Sequence, residues 1–199
     1  MMQVIVATNN EGKVREFSRI FAPFGIQAIP QKEVLPNCKV EEIGTTFAEN
    51  SYLKAQAVHN LTGQAVVADD SGLCVDALHG EPGVYSARYG GECSYPEKIA
   101  KLVQALEGVP ADQRTARFVA HICYISEDGI RTDFEETCEG KIGTVPKGNH
   151  GFGFDPIFYV GDRSFAELPD QEKDALSHRG KALQKLAAYL EEFYLEKKE

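Results

Sequence analysis

The chain has 199 residues, enough for one domain, or one domain with two lobes, around a sizeable core. Hydrophobic residues make up 43% and charged residues 26%, as in an ordinary globular protein, and 30 Asp and Glu against 21 Lys and Arg give a net charge of -9. That sign argues against a binder of duplex nucleic acid, which needs a basic face, but leaves room for a small anionic ligand held by a local cluster of cations. No apolar run approaches ~18 residues and no basic stretch precedes the first apolar one, so neither a membrane span nor a signal peptide is expected. Five cysteines without C-x-x-C spacing indicate neither a zinc site nor a disulfide framework. They read as reduced thiols of a cytoplasmic protein.

Val4-Thr8 reads as a strand, and Glu11-Phe21 as a helix with Val14, Phe17, Ile20 and Phe21 on one face. The junction Thr8-Asn9-Asn10-Glu11-Gly12-Lys13 joins a strand end to a helix N-terminus, where free backbone N–H groups and a partial positive charge suit phosphate. It reads equally as a polar turn with a solvated lysine, and it is not a Walker A loop. Ile26-Pro30 is a short strand, and Leu35 to Gly44 is irregular and acidic, with Glu41-Glu42 as a solvated pair or a ligand pair. Thr46-Phe47-Ala48-Glu49 is a capping box that starts a helix carrying Lys54 and running to about Leu61, with Gly63 as its stop.

Ala65-Val66-Val67-Ala68 reads as a central strand buried on both faces and ended by Asp69-Asp70-Ser71-Gly72. Ligands of open α/β sheets bind beyond the C-terminal strand ends, so Thr8-Lys13 and Asp69-Ser71 are expected at one edge. Paired carboxylates there suit Mg²⁺. Ser94-Glu97 starts another helix, which Gly108 ends. The period then changes to two across Phe118-Ile125, with Asp128-Gly129 as the hairpin turn and Ile130-Glu139 returning. In Gly148-Pro156, glycines let backbone approach a flat ligand, and Phe152 and Phe154 offer faces on which a base can stack. Ile157-Val160 is a last strand. Ser177 is an N-cap for a final helix from about Gly180, with Leu183, Leu186, Leu190 and Phe193 as its stripe. His178 and Arg179 then sit where the helix dipole disfavours cations, which points to an electron-rich group opposite. The whole is an α/β protein, a mixed central sheet flanked by helices.

Together ATNNEGK, GTTFAENSYLKA, ADDSGL, PGVYSARYGG, GFGFDPIF and SHRGKAL, in this order, resemble the Ham1-like inosine/xanthosine triphosphate pyrophosphatases, in their bacterial XTP/dITP diphosphatase branch. The resemblance runs from Val4 to Leu190 and implies one elongated two-lobed domain over residues 1–199, with a cleft between the lobes. It implies a homodimer that uses Mg²⁺ to hydrolyse ITP, dITP and XTP to the monophosphate and pyrophosphate. By motif, Thr8, Asn9, Asn10, Glu11, Gly12 and Lys13 hold the triphosphate, together with Lys54. Asp70 binds metal and is the general base, with Ser71 beside it on the substrate. Asp69 and one of Glu41 and Glu42 complete the metal set. Phe152, Gly153, Phe154 and Asp155 line the base pocket, and Lys173, His178 and Arg179 close on the purine. A Maf-like pyrophosphatase of modified pyrimidine nucleotides is the nearest rival, and SHRG and GFGFDP argue against it. A nucleotide-binding regulator without turnover is a second, disfavoured by the intact Asp69-Asp70 pair.

Overall fold

The computed structural model describes residues 2–196. In chain order its elements are β1 (Met2–Val6), α1 (Glu11–Phe21), β2 (Ile26–Pro30), α2 (Gln31–Val34), α3 (Phe47–Thr62), β3 (Val66–Val75), α4 (Tyr95–Ala105), β4 (Thr115–Ile125), β5 (Arg131–Ile142), β6 (Phe158–Val160), β7 (Arg163–Ser164), α5 (Asp170–Leu176) and α6 (His178–Glu196). The strands hydrogen-bond in the order β2-β1-β3-β4-β5-β6-β7. β1 runs parallel to β2 and β3, whereas β6 is antiparallel to β5 and β7, so the sheet is mixed, as expected. No helix among the described residues is long and apolar enough to cross a membrane.

The chain forms two compact units. The first holds everything up to Asp70, then Ala120–Glu136 and the chain from Arg179 onward; the second holds Ser71–Val119 and Thr137–His178.

Two apolar layers build the first unit. Ala65 and Val67 pack with Phe17, Ile20 and Phe21 of α1 and with Leu183, Leu186 and Leu190 of α6. The alternate residues Val66 and Ala68 pack with Ala55 and Val58 of α3. This is the period of two of a strand covered on both faces. Each fully buried large side chain, such as Phe17 or Phe21, contributes about 1.5–3 kcal/mol. Local signals set the helix ends. Asn10 Oδ1 accepts the Lys13 N–H at 3.1 Å to start α1. Thr46 Oγ1 accepts the Glu49 N–H at 3.1 Å while Glu49 Oε2 takes Thr46 N–H at 3.2 Å, and Gly63, at φ 64°, closes α3.

In the second unit Leu73, Val75, Ile99, Leu102, Phe118, Phe154, Phe158 and Phe165 share a core. Phe118 meets Phe158 edge-on at 4.6 Å and stacks on Phe165 at 5.7 Å. Glu97 accepts from Ser94 N and Oγ at 2.8 and 2.7 Å, which starts α4.

The structure departs from the sequence reading in several places, among them the helix α5, which the sequence reading did not expect. β3 does not end at Asp69 but runs on to Val75, because it keeps β4 as a neighbour after β1 has stopped at Val6. α6 starts at His178, two residues early. The one-turn α2 and the two-residue β7 carry too few residues to show a period.

Candidate functional site

The last apolar rows of β3 end in acids. Asp69 continues the row Ala65-Val67, which faces α1 and α6, and Asp70 continues Val66-Ala68, which faces α3. The two neighbours in sequence therefore meet different partners.

Asp69 is 1% exposed. Its Oδ2 accepts from Lys13 Nζ at 2.8 Å and from Arg179 Nε at 3.1 Å. Arg179 Nη1 also donates to Glu16 Oε2 at 2.6 Å. Burial works against ionisation of Asp69, but the Arg179 and Lys13 charges outweigh it and hold the carboxyl well below the usual range. Burial lowers the Lys13 ammonium, with Asp69 opposing and Lys54 and Arg179 assisting. Arg179 stays charged: burial disfavours its cation, and Asp69 and Glu16 overcome that.

Asp70 turns to α3. Lys54 Nζ donates to Asp70 Oδ1 at 3.2 Å, to Glu42 Oε1 at 2.8 Å and to the Asp69 carbonyl at 2.7 Å. Burial pushes the Asp70 carboxyl up; Lys54 and Lys13 pull it down, and Glu42 and Asp69 push it up again. The net direction is upward, opposite to its neighbour. Asp70 Oδ2 is enclosed and has no hydrogen-bond partner among the described residues. Of the acidic pair, Glu42 is the half-buried member and reaches Lys54, while Glu41 is exposed.

Lys13, Lys54 and Arg179 thus face Glu16, Glu42, Asp69 and Asp70, three cations against four carboxylates. Asp69 is engaged by protein cations. Lys54 engages one oxygen of Asp70 and one of Glu42, and Asp70 Oδ2, enclosed and without a hydrogen-bond partner among the described residues, is chemically suited to donate to a hard cation. Among the described residues no three His, Cys, Asp or Glu side chains converge as a metal cage. Mg²⁺ is commonly held by one or two carboxylates plus substrate phosphates, so two suffice.

The opening loop is ordered by its own side chains. Thr8 Oγ1 accepts from Asn10 N at 3.1 Å, and Asn9 is exposed. Glu11 pairs with Lys32 at 3.1 Å on the surface, and Gly12 is buried at the start of α1.

The second unit gathers the other candidates except Arg179. Asp155 Oδ2 accepts from Phe152 N at 2.9 Å and from Lys173 Nζ at 2.7 Å. The Lys173 ammonium lies 5.0 Å above the Phe152 ring, within cation–π range. Gly151 has φ +70°, and a Cβ there would run into the Asp155 carboxylate. His178 stacks on Phe118 with centroids 4.7 Å apart and planes 10° off parallel. Phe154 is a core residue, edge-on to Tyr95 at 5.5 Å, while Phe152 is half-buried. Gly153, at φ +68°, lies between them, and Ser71 is half-buried on β3.

Two participants escaped the sequence reading. Glu16 sits three residues after Lys13 on α1, so spacing puts it on the same face, but a charged helix residue reads as solvated. Phe118 looked like core alone.

Fold and charge cluster define a mixed α/β protein with a buried cation–carboxylate cluster beside a strand-to-helix junction. Comparison with known proteins narrows that class. The Ham1 family model matches residues 4–189. A dITP/XTP pyrophosphatase of Geobacillus kaustophilus is 46% identical over 96% of this chain and 96% of its own. One of Vibrio cholerae is 46% identical over 96% and 98%. The Staphylococcus aureus Ham1 protein structure shares 42% identity and superposes with TM-score 0.84, covering 95% of this chain and 98% of that one. The Coxiella burnetii Ham1 protein shares 40% identity at TM-score 0.86, covering 96% and 100%. The chain belongs to the Ham1 family.

Proposed function

We propose that this protein hydrolyses dITP, XTP and ITP to the monophosphate and pyrophosphate with Mg²⁺, removing deaminated purines from the nucleotide pool. The observation that carries the reading is the convergence of Lys13, Lys54 and Glu42 on the Asp69-Asp70 stretch of β3. The names of relatives about 45% identical over full length support the substrate class. Hydrolysing a triphosphate requires charge neutralisation and an aligned water more than a protein nucleophile.

In this reading the first unit handles phosphate. The loop from Thr8 to Gly12 offers donors, and Lys13 places a charge on the phosphates. Asp70 and Glu42 would hold Mg²⁺, which when bound offsets phosphate charge. Water attacks the α-phosphorus, the bond from that phosphorus to the bridging oxygen breaks, and pyrophosphate leaves with that oxygen. The Asp70 carboxylate takes the proton of the water. In the metal-free site burial is the first cause that holds this carboxyl above the usual aspartate range. Phe152, Asp155, Lys173 and His178 would meet the purine. Arg179 is engaged by Asp69 and Glu16, so contacting the purine would mean releasing one of them. Homodimerisation and a cytoplasmic location belong to the same reading, and sedimentation velocity tests the first.

The test is pyrophosphate release from dITP, XTP, ITP and ATP, with Mg²⁺ and with EDTA. Release from the first three, much less from ATP and none in EDTA, is expected. Binding without release would make the protein a nucleotide-binding regulator. Release of orthophosphate alone would overturn the cleavage position.

A further inference from the structure

Glu42 lies in an irregular stretch, residues 35–46, so something must fix where its carboxylate goes. Two clamps hold the downstream end. Glu49 Oε2 accepts from Thr45 N at 2.6 Å and from Thr46 N at 3.2 Å, which is ordinary helix capping. The other clamp is not. Gly44 N donates to Asn50 Oδ1 at 2.8 Å. Asn50 is fully buried, and because the Gly44 N–H donates and an amide Nδ2 cannot accept, the orientation of its amide is fixed. Asn50 Nδ2 then points into the protein with no partner among the described residues. A buried unsatisfied donor costs stability, so this amide is not explained by its own satisfaction.

Gly44 shows how closely the loop is held. A Cβ there would lie 2.7 Å from Asn50 Oδ1 and 2.7 Å from Glu49 Cβ, so only glycine lets the backbone rest on the first turn of α3. One turn further along the same face, Lys54 takes the Glu42 carboxylate at 2.8 Å. α3 therefore fixes the backbone two residues from Glu42 and meets its carboxylate.

We propose that Asn50 is a positioning residue for the cation site: through Gly44 it sets the turn that delivers Glu42 to the space beside Asp70. This rests on the reading of Glu42 and Asp70 as the cation ligands. The contact Asn50 makes on this path is with the Gly44 backbone.

The test is Mn²⁺ binding to the full chain, measured by water-proton relaxation without nucleotide, for wild type, Glu42→Gln, Asn50→Ala and Asn50→Asp. Circular dichroism checks that each folds. Losing a residue that supports a ligand commonly costs about 10–100-fold in metal affinity, and Asn50→Ala is expected in that range. Asn50→Asp keeps an acceptor for Gly44 N–H and is expected to bind Mn²⁺ at least as tightly as wild type. In turnover, Asn50→Ala should raise the Mg²⁺ concentration for half-maximal rate and leave the rate at saturating Mg²⁺ close to wild type. If Glu42→Gln weakens Mn²⁺ binding but folded Asn50→Ala does not, the positioning role is wrong and the cation site stands. If Glu42→Gln changes nothing, the cation reading fails and the role of Asn50 with it. Should Asn50→Ala not fold, weaker binding by Asn50→Asp than by wild type overturns the proposal.

Discussion

Replacing Arg179 by alanine tests the buried network most directly. Arg179 is 3% exposed, and its partner side chains Glu16 and Asp69 are 5% and 1% exposed. Removing one member of a buried ion pair leaves an uncompensated charge and typically costs about 3–5 kcal/mol. Asp69 keeps Lys13 at 2.8 Å, so most of the penalty falls on Glu16. We expect Arg179→Ala to lose about 3–5 kcal/mol of unfolding free energy. Adding Glu16→Gln should recover part of it, because the buried side chain would then carry no charge. The chain has no tryptophan, so urea unfolding is followed by far-UV circular dichroism, with the slope against denaturant checked for constancy. A loss below about 1 kcal/mol, the range of exposed pairs, would refute the burial argument. Kinetics add a second arm. If Arg179 serves Asp69, kcat/KM falls in equal proportion on dITP and ATP. A loss confined to dITP would put the guanidinium on the purine and overturn that assignment.

The other predictions are simpler. Asp70→Asn should fold normally and lose about 10²–10⁴-fold in kcat, because it removes the proton acceptor and a cation ligand together; a mutant retaining more than half the wild-type rate sinks the assignment. Lys13→Ala should lower kcat/KM for dITP and ATP alike, since phosphate is common to both, and a changed ratio of the two values would place Lys13 on the base. Gly148→Ala should destabilise by about 1–3 kcal/mol in thermal or urea unfolding, because φ is +80° there and a Cβ would meet the Ala166 backbone; a neutral effect would contradict that contact. Cys123 is fully buried, and burial first, then Asp133, pushes its thiol up to about 12. It should be the last of the five thiols to react with iodoacetamide at neutral pH, as peptide mapping would show, and early labelling would refute its burial.

Much of the frame was legible because its causes are local. The Thr46 and Glu49 pair, the stop at Gly63 and the Asp128-Gly129 turn each act within a few residues, and each appears where the sequence puts it. The run Ala65-Ala68 announced a strand covered on both faces, but its true end did not show. Whether a strand stops depends on its neighbours, and β4 is about fifty residues away in sequence. The site was legible as a set of motifs and not as a network. Lys13, Asp69 and Arg179 each looked ready for ligand, yet they are bonded to one another. Choosing Glu42 over Glu41, or Phe152 over Phe154, needs the direction of a side chain in a loop without a period. Glu16 was hidden for the opposite reason, since its helix has a clear polar face and the residue lies buried against Arg179.

The alternation of β3 has a consequence for how this chain tolerates change. Asp69 and Asp70 share a chemistry and adjoin, yet neither is a spare for the other, because the pleat sends them to opposite layers. Deleting or inserting one residue upstream in β3, with pairing otherwise kept, would exchange their surroundings: the acid held ionised by Arg179 and Lys13 would become the one facing Lys54, and the reverse. The same slip would interchange the apolar rows beneath them, Val66 and Ala68 for Ala65 and Val67. The length of this strand is thus constrained from two directions, by the oily layers that carry it and by the unlike work of its two acids.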